Sequence, residues 1–334
     1  MFGKNQKNKG FLEQPVQELD YNQEMGAKVG RESPIVHEVR IFDGNWSDFA
    51  TDFELQKQNG LEPMDCVTQG VINSIQSQMN WMIVTNRMPQ KHMELLNKYE
   101  CIVDGRVQFS KKFIAILSET TKEGNYLTKV AQTVREVGVV SEKMLPISGS
   151  TWDEFYNKGQ ITEEMRDIGK MFFDKDNPAA LFKLQYAWVL TPNSGGLKED
   201  NRAKILHELR HTPLVIAKDG HCTLKILGIN KVRWQILDSY KPFLKDRKWD
   251  YDALWVLKVV VDLNSAANNN PMKLVKTESS PHIYLISGDN KNKIMIVDMP
   301  SLEALGQSFE TISKEDLDRY ADGGTMIWVN RVIK

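Results

Sequence analysis

The chain has 334 residues, 41% of them hydrophobic and 26% charged, with a formal net charge of -1; this is the composition of a folded protein with room for one large or two unequal domains. The balanced charge gives no global attraction to nucleic acid or to an anionic membrane, and no apolar run approaches the ~18 residues of a membrane span. Cys66, Cys101 and Cys222 are too few and too scattered for a disulfide framework or a zinc cluster, so free thiols and no metal or other cofactor are expected.

Residues 1–44 form a polar N-terminal arm, in which Lys4, Lys7 and Lys9 are followed by Glu13, Glu18, Asp20 and Glu24. Its start, Met1-Phe2-Gly3-Lys4, lacks the apolar core of a signal peptide, which on its own points to a cytoplasmic protein. With few apolar side chains, residues 1–35 are expected to lie against their own domain or a neighbouring subunit. The alternation of Ile35-Val36-His37-Glu38-Val39-Arg40-Ile41 predicts a strand.

A domain over residues 45–265 follows. Pro63 ends a loop and Asp65 is a candidate N-cap for a helix whose Val67, Val71, Ile75, Met79 and Met82 recur at helical spacing. Further helices are predicted over 90–98, 124–138, 152–170 and 198–210. The period then changes: Pro213–Ala217, Thr223–Leu227, Val232–Leu237 and Ala253–Leu257 read as successive strands. Helices first and antiparallel strands afterwards predict an α+β fold with its site where the two parts meet.

The run Ala266-Ala267-Asn268-Asn269-Asn270-Pro271 marks a linker over 266–274. Beyond it, residues 275–334 read as a small accessory α+β module. Its expected strands are 283–286, 294–297 and 325–329, with helices around 300–306 and 314–320. The Gly-Gly pairs at 195–196 and 323–324 lack phosphate-loop spacing and are read as turns.

Three residues carry chemistry together. Cys66 opens the first helix, His221 sits in Gly220-His221-Cys222, and Asp238 sits in Trp234-Gln235-Ile236-Leu237-Asp238-Ser239-Tyr240. A thiol at a helix start, an imidazole on a strand and a carboxylate to orient it are the parts of a cysteine-nucleophile acyl-transfer site. Taken alone, a cysteine before an apolar helix is more often packing, and Cys101 is read that way. Strand alternation turns Cys222 away from His221 into the core, which also argues against a shared metal. The basic cluster Lys241, Lys245, Arg247 and Lys248 is read as a solvated loop rather than a nucleic-acid contact.

The order and surroundings of these residues resemble the papain superfamily of cysteine peptidases. Trp234 through Tyr240 is similar to that family's Trp-x-Ile-x-Asn-Ser-Trp segment, and His211-Thr212-Pro213-Leu214-Val215 to the strand before the catalytic His. Gly124-Asn125-Tyr126 through Leu145-Pro146 is similar to its Gly-rich helix and following strand. The resemblance spans about residues 45–262. It implies a helical half joined to an antiparallel barrel-like half, and hydrolysis of peptide or amide bonds without a cofactor. Cys66 would be the nucleophile, His221 the base, and Asp238 the orienting group where the family carries Asn. The family's oxyanion Gln precedes Cys by about six residues, where this chain has Gly60; Gln58 is preferred for the role, with Gln56 the alternative. That gap and the altered flank Glu62-Pro63-Met64-Asp65-Cys66-Val67 support a second possibility, a structural protein on an inactive peptidase scaffold.

The segment Tyr284-Leu285-Ile286 through Tyr320-Ala321-Asp322-Gly323-Gly324 resembles small modules of phage structural and bacterial surface proteins. That resemblance implies a virion component. Residues 1–35 and 275–334 would then contact other virion proteins or copies of the same chain. The substrate would be virion proteins or peptidoglycan peptide bridges.

Overall fold

The computed structural model describes residues 10–13, 39–51, 56, 60–191, 199–227, 233–248, 255–264, 273–277, 283–286, 292–296, 310–314 and 321–326. Two compact units divide the chain, residues 1–262 and 263–334.

The first unit opens with a two-residue strand β1 (Gly10–Phe11), followed by the long helix α1 (Cys66–Val84) and by α2 (Gln90–Lys98). A short hairpin β2 (Ile102–Val103) and β3 (Arg106–Val107) leads to α3 (Lys111–Leu117), β4 (Gly124–Asn125) and α4 (Leu127–Val137). Then come α5 (Trp152–Phe155), α6 (Glu163–Phe172), β5 (Phe182–Leu190) and α7 (Glu199–Leu209). The sheet half is completed by β6 (Leu214–Lys218), β7 (His221–Leu227), β8 (Arg233–Leu237), β9 (Leu244–Lys248) and β10 (Trp255–Leu263).

Helix α1 is the centre of this unit. Val67, Val71, Ile75 and Met79 are fully enclosed, as the apolar stripe predicts, but the remaining faces are buried too. Their polar side chains bind both halves of the fold. On the helical side, Gln76 Oε1 accepts from the Phe109 N–H and Asn80 Oδ1 from the Val107 N–H, both at 2.8 Å. On the sheet side, Gln78 Nε2 donates to the Val259 carbonyl and Gln78 Oε1 accepts from the Val261 N–H, both at 3.0 Å. These bonds satisfy buried amide groups of Gln76, Gln78 and Asn80 and tie α1 between the two layers.

The six-stranded sheet runs β5-β10-β6-β7-β8-β9, and the pairings from β10 to β9 are antiparallel. With β5 and β9 at its two edges, it is an open sheet among the described residues rather than the barrel-like closure expected. The architecture is α+β, a helical half against a largely antiparallel sheet.

Local differences from expectation have local causes. The single helix expected over 152–170 is broken into α5 and α6 because Thr151 and Thr162 each cap a new N-terminus, accepting from the Glu154 and Met165 N–H groups. Residues 124–125 form β4, so the helix expected from 124 starts at Leu127. Residues 244–248, read as loop, are strand β9. No strand includes residues 39–41, and 35–38 lie outside the described residues.

The second unit holds a five-stranded sheet of β11 (Lys273–Thr277), β12 (Ile283–Ile286), β13 (Asn292–Ile296), β14 (Glu310–Ile312) and β15 (Ala321–Met326). Its order is β14-β11-β12-β13-β15, antiparallel through the middle and parallel at both edges. Strand β11 takes in Lys273 and Leu274, where the sequence predicts linker. The Gly323-Gly324 pair lies within β15 rather than in a turn. The Gly195-Gly196 pair, and the helices expected over 300–306 and beyond Lys314, fall outside the described residues.

Candidate active site

Asp219 and Gly220 both take positive φ, 53° and 74°, as a two-residue hairpin turn between paired Lys218 and His221 demands. That turn makes His221 the first residue of β7. Asp238 follows the last residue of β8, the next strand over, and its carboxylate meets the imidazole: His221 Nε2 lies 2.9 Å from Asp238 Oδ1. The same oxygen accepts from the Tyr240 N–H at 3.1 Å, and Oδ2 accepts from Lys245 Nζ at 2.6 Å. Burial by itself would raise the Asp238 pKa. The hydrogen bonds and charges of His221 and Lys245 outweigh it and hold the group down at about 2.

An ionised carboxylate only accepts, so His221 donates through Nε2–H and, when neutral, carries its lone pair on Nδ1. Nδ1 is buried and has no hydrogen-bond partner among the described residues. The Tyr240 ring lies edge-on to the imidazole, centroids 5.3 Å apart, beside the His–Asp pair.

Cys66 is the first residue of α1 and is fully buried. Its sulfur faces the backbone of Cys222, the residue after His221. Burial pushes the Cys66 thiol well above its ordinary pKa, aided by the charges of Cys222, Asp65 and Glu62 and opposed by the Cys222 backbone hydrogen bond. The thiol does not donate to His221 Nδ1 in this state. Asp65 holds the N-cap position without a side-chain cap bond; its Oδ2 instead accepts from Gln69 Nε2 at 3.3 Å. Cys222 packs into the core as alternation predicts, so closely that a Cβ on Gly70 would come 2.9 Å from its sulfur.

The N-terminal strand β1 also meets this region. It pairs in parallel with β4, and Phe11 N–H donates to the Gly220 carbonyl at 3.1 Å while Leu12 N–H donates to Asn125 O at 2.9 Å. Gly10 has φ 115°, and a Cβ there would stand 2.1 Å from the carbonyl oxygen of Met64, two residues before Cys66. Strand β1 therefore links the approach to the thiol with the turn that carries His221.

Gln58 lies outside the described residues. Gln56 is buried and held on three sides: its N–H donates to Ser239 O at 3.1 Å, Nε2 donates to Glu62 Oε1 at 2.6 Å, and Oε1 accepts from Ser239 Oγ at 3.0 Å. Glu62 also hydrogen-bonds Tyr240, which joins Gln56 to the side chain beside His221. Tyr156 closes the other flank, its hydroxyl donating to Pro63 O at 2.5 Å. The sequence reading missed Lys245, Glu62 and Tyr156. A basic cluster on a polar strand carries no signal that one member points at a buried carboxylate. Among the described residues, no group of three His, Cys, Asp or Glu is placed to hold a metal ion.

No family model and no curated protein matches this chain. Among solved structures it is similar to xylellain, a cysteine protease from Xylella fastidiosa, at 11% identity and a TM-score of 0.47, over 78% of this chain and 99% of that one. A structure concerning the mite allergens Blo t 1 and Der p 1 is similar at 10% identity and a TM-score of 0.37, over 65% of this chain and 69% of that one.

Proposed function

We propose that the first unit is a papain-like cysteine peptidase or amidase with Cys66 as nucleophile and His221 as base. The observation that supports this reading is the Nδ1 of His221, buried and without a hydrogen-bond partner among the described residues: the Asp238 bond fixes the proton on Nε2 and leaves a basic lone pair one residue away from the Cys222 backbone that Cys66 faces. In the proposed cycle the thiol turns from the Cys222 backbone to Nδ1 and gives up its proton. The thiolate attacks the substrate carbonyl, and the imidazolium then protonates the leaving amine. Water, deprotonated by the same nitrogen, releases the acid and regenerates the thiol. The Cys66 N–H is one oxyanion donor and Gln58 the proposed second. A cysteine-directed epoxide peptide tests this directly: it should modify Cys66 alone and stop hydrolysis of a mixed fluorogenic peptide library. Failure of both, in a folded chain, would overturn the reading.

A second reading, a structural protein on an inactive scaffold, is favoured by one observation. The Cys66 thiol is fully buried and driven toward its neutral form. The particle context is supported only by the sequence resemblance of residues 275–334. On that basis we propose residence on a virion, contacts through residues 1–35 and 275–334, and virion proteins or cell-wall peptides as substrates. Incorporation of a chain lacking both segments into particles tests it.

A further inference from the structure

We propose that Lys245 is a positioning residue for His221: by holding the second oxygen of Asp238 it cancels the carboxylate's charge and locks its plane, so that an ionised pair does the work of a neutral hydrogen-bond acceptor. This deepens the peptidase reading and rests on it for its catalytic meaning, while the pairing itself is a property of the folded chain.

The geometry carries the inference. Asp238 is nearly sealed, its side chain 4% exposed, and Lys245 only 16%. Three donors converge on the carboxylate: His221 Nε2 and the Tyr240 N–H on Oδ1, and Lys245 Nζ on Oδ2 at 2.6 Å. A lone carboxylate here would bind the imidazolium strongly. That would hold a proton on Nδ1, where the reaction needs a lone pair first and a proton to surrender later. A cation on the far oxygen weakens that hold without displacing the Nε2–H bond.

Strand β9 is built to deliver it. Lys245 pairs with Ile236 and the neighbouring Leu244 with Leu237, the residue before Asp238. The Asp238 N–H donates to Phe243 O at 2.8 Å, so the turn between the strands is tied at both ends. Among the described residues, the other titratable groups near the pair include Tyr240 after β8, Cys66 and Asp65 at the head of α1, Glu62 before it, Cys222 on β7, Asp219 in the turn before His221, Asp246 beside Lys245 on β9 and Lys218 opposite His221 on β6. The side chains that hydrogen-bond the Asp238 carboxylate and hold its pKa down are those of His221 and Lys245.

The test is the titration of the His221 imidazole by NMR in the full chain, without substrate. It compares wild type, Lys245→Met, Lys245→Arg and the double variant Asp238→Asn with Lys245→Met, each checked for fold by circular dichroism. Loss of the cation should raise the His221 midpoint by about 1 pH unit. Arginine should restore it, and the double variant, neutral on both sides, should bring it back toward wild type. A wild-type midpoint in folded Lys245→Met overturns the proposal, as does an arginine variant that behaves like methionine. Should Lys245→Met not fold, the double variant decides: a midpoint displaced from wild type by the same ~1 unit overturns charge compensation. The titration needs no activity, so a chain that shows the shift yet hydrolyses nothing upholds Lys245 and rejects the peptidase reading instead.

Discussion

Phe11 donates its backbone N–H to the carbonyl of Gly220, the residue immediately before His221, at 3.1 Å. The Phe11 side chain is 2% exposed, its ring 6.2 Å from that of Trp255. A polar arm that seemed too poor in apolar residues to order itself thus anchors one short stretch in its own unit, beside the turn that presents the imidazole and the segment that leads into Cys66.

Replacing Gly10 with alanine should loosen that contact. The new Cβ would fall 2.1 Å from Met64 O, at a φ of 115° that L residues avoid, so strand β1 must shift. Even ~1.4 kcal/mol of strain corresponds to about a tenfold larger open population. Iodoacetamide labelling of Cys66 near neutral pH, followed by peptide mass mapping, should be slow in wild type and about tenfold faster in the variant. Cys101, whose pKa burial pushes up to about 12, is the internal control. Equal acceleration at both cysteines would mean general unfolding rather than uncovering of the site.

Activity should separate the roles of the three residues. Cys66→Ala should abolish peptide hydrolysis, and His221→Gln should cost about 10²–10⁴ in kcat/KM, the usual contribution of a positioned general acid–base. Asp238→Ala should cost less than His221→Gln and should alter the pH profile, because it frees the imidazole tautomer. Hydrolysis that survives Cys66→Ala at the wild-type rate would assign the chemistry to another group.

Asp238 also makes stability sensitive to acid. Its folded pKa of about 2 lies below the ~3.9 of an unfolded aspartate, so the stabilisation is complete above pH ~4 and is lost as pH falls toward 2. Thermal unfolding followed from pH 6 to 2 should show a fall that is shallower in Asp238→Asn across that window. Parallel curves for the two proteins would remove Asp238 from the acid transition.

The meeting of His221 and Asp238 was legible because its signals are local. Gly220-His221-Cys222 reads as part of a strand, and the Asp219-Gly220 turn seen in the structure puts His221 at its head. The spacing from Trp234 to Tyr240 then places Asp238 at the end of the next one. What could not be read depends on tertiary partners. The apolar stripe of α1 predicts one buried face, whereas burial of Gln76, Gln78 and Asn80 as well depends on their bonds to Val107, Phe109, Val259 and Val261. Lys245 was hidden for the same reason, since one of three basic residues on an edge strand is distinguished only by the carboxylate it meets. The break between α5 and α6, by contrast, had a visible cause in Thr162-Glu163-Glu164, a helix start inside an apparently continuous pattern.

The same dependence on partners appears at Lys258, on β10, whose Nζ lies 2.8 Å from Glu208 Oε2 of α7, the side chains 1% and 3% exposed. Two charges so enclosed are compatible with folding only as a pair. Lys258→Met should leave the Glu208 carboxylate buried and uncompensated, and lower unfolding stability by about 3–5 kcal/mol in urea titration. The double variant Lys258→Met with Glu208→Leu removes both charges and should recover most of that loss, because an apolar pair of similar volume suits the site. A double variant as unstable as the single one would show that the pair matters for its hydrogen-bonded geometry rather than for its charge balance, and that α7 needs the Glu208 bond itself to dock on the sheet.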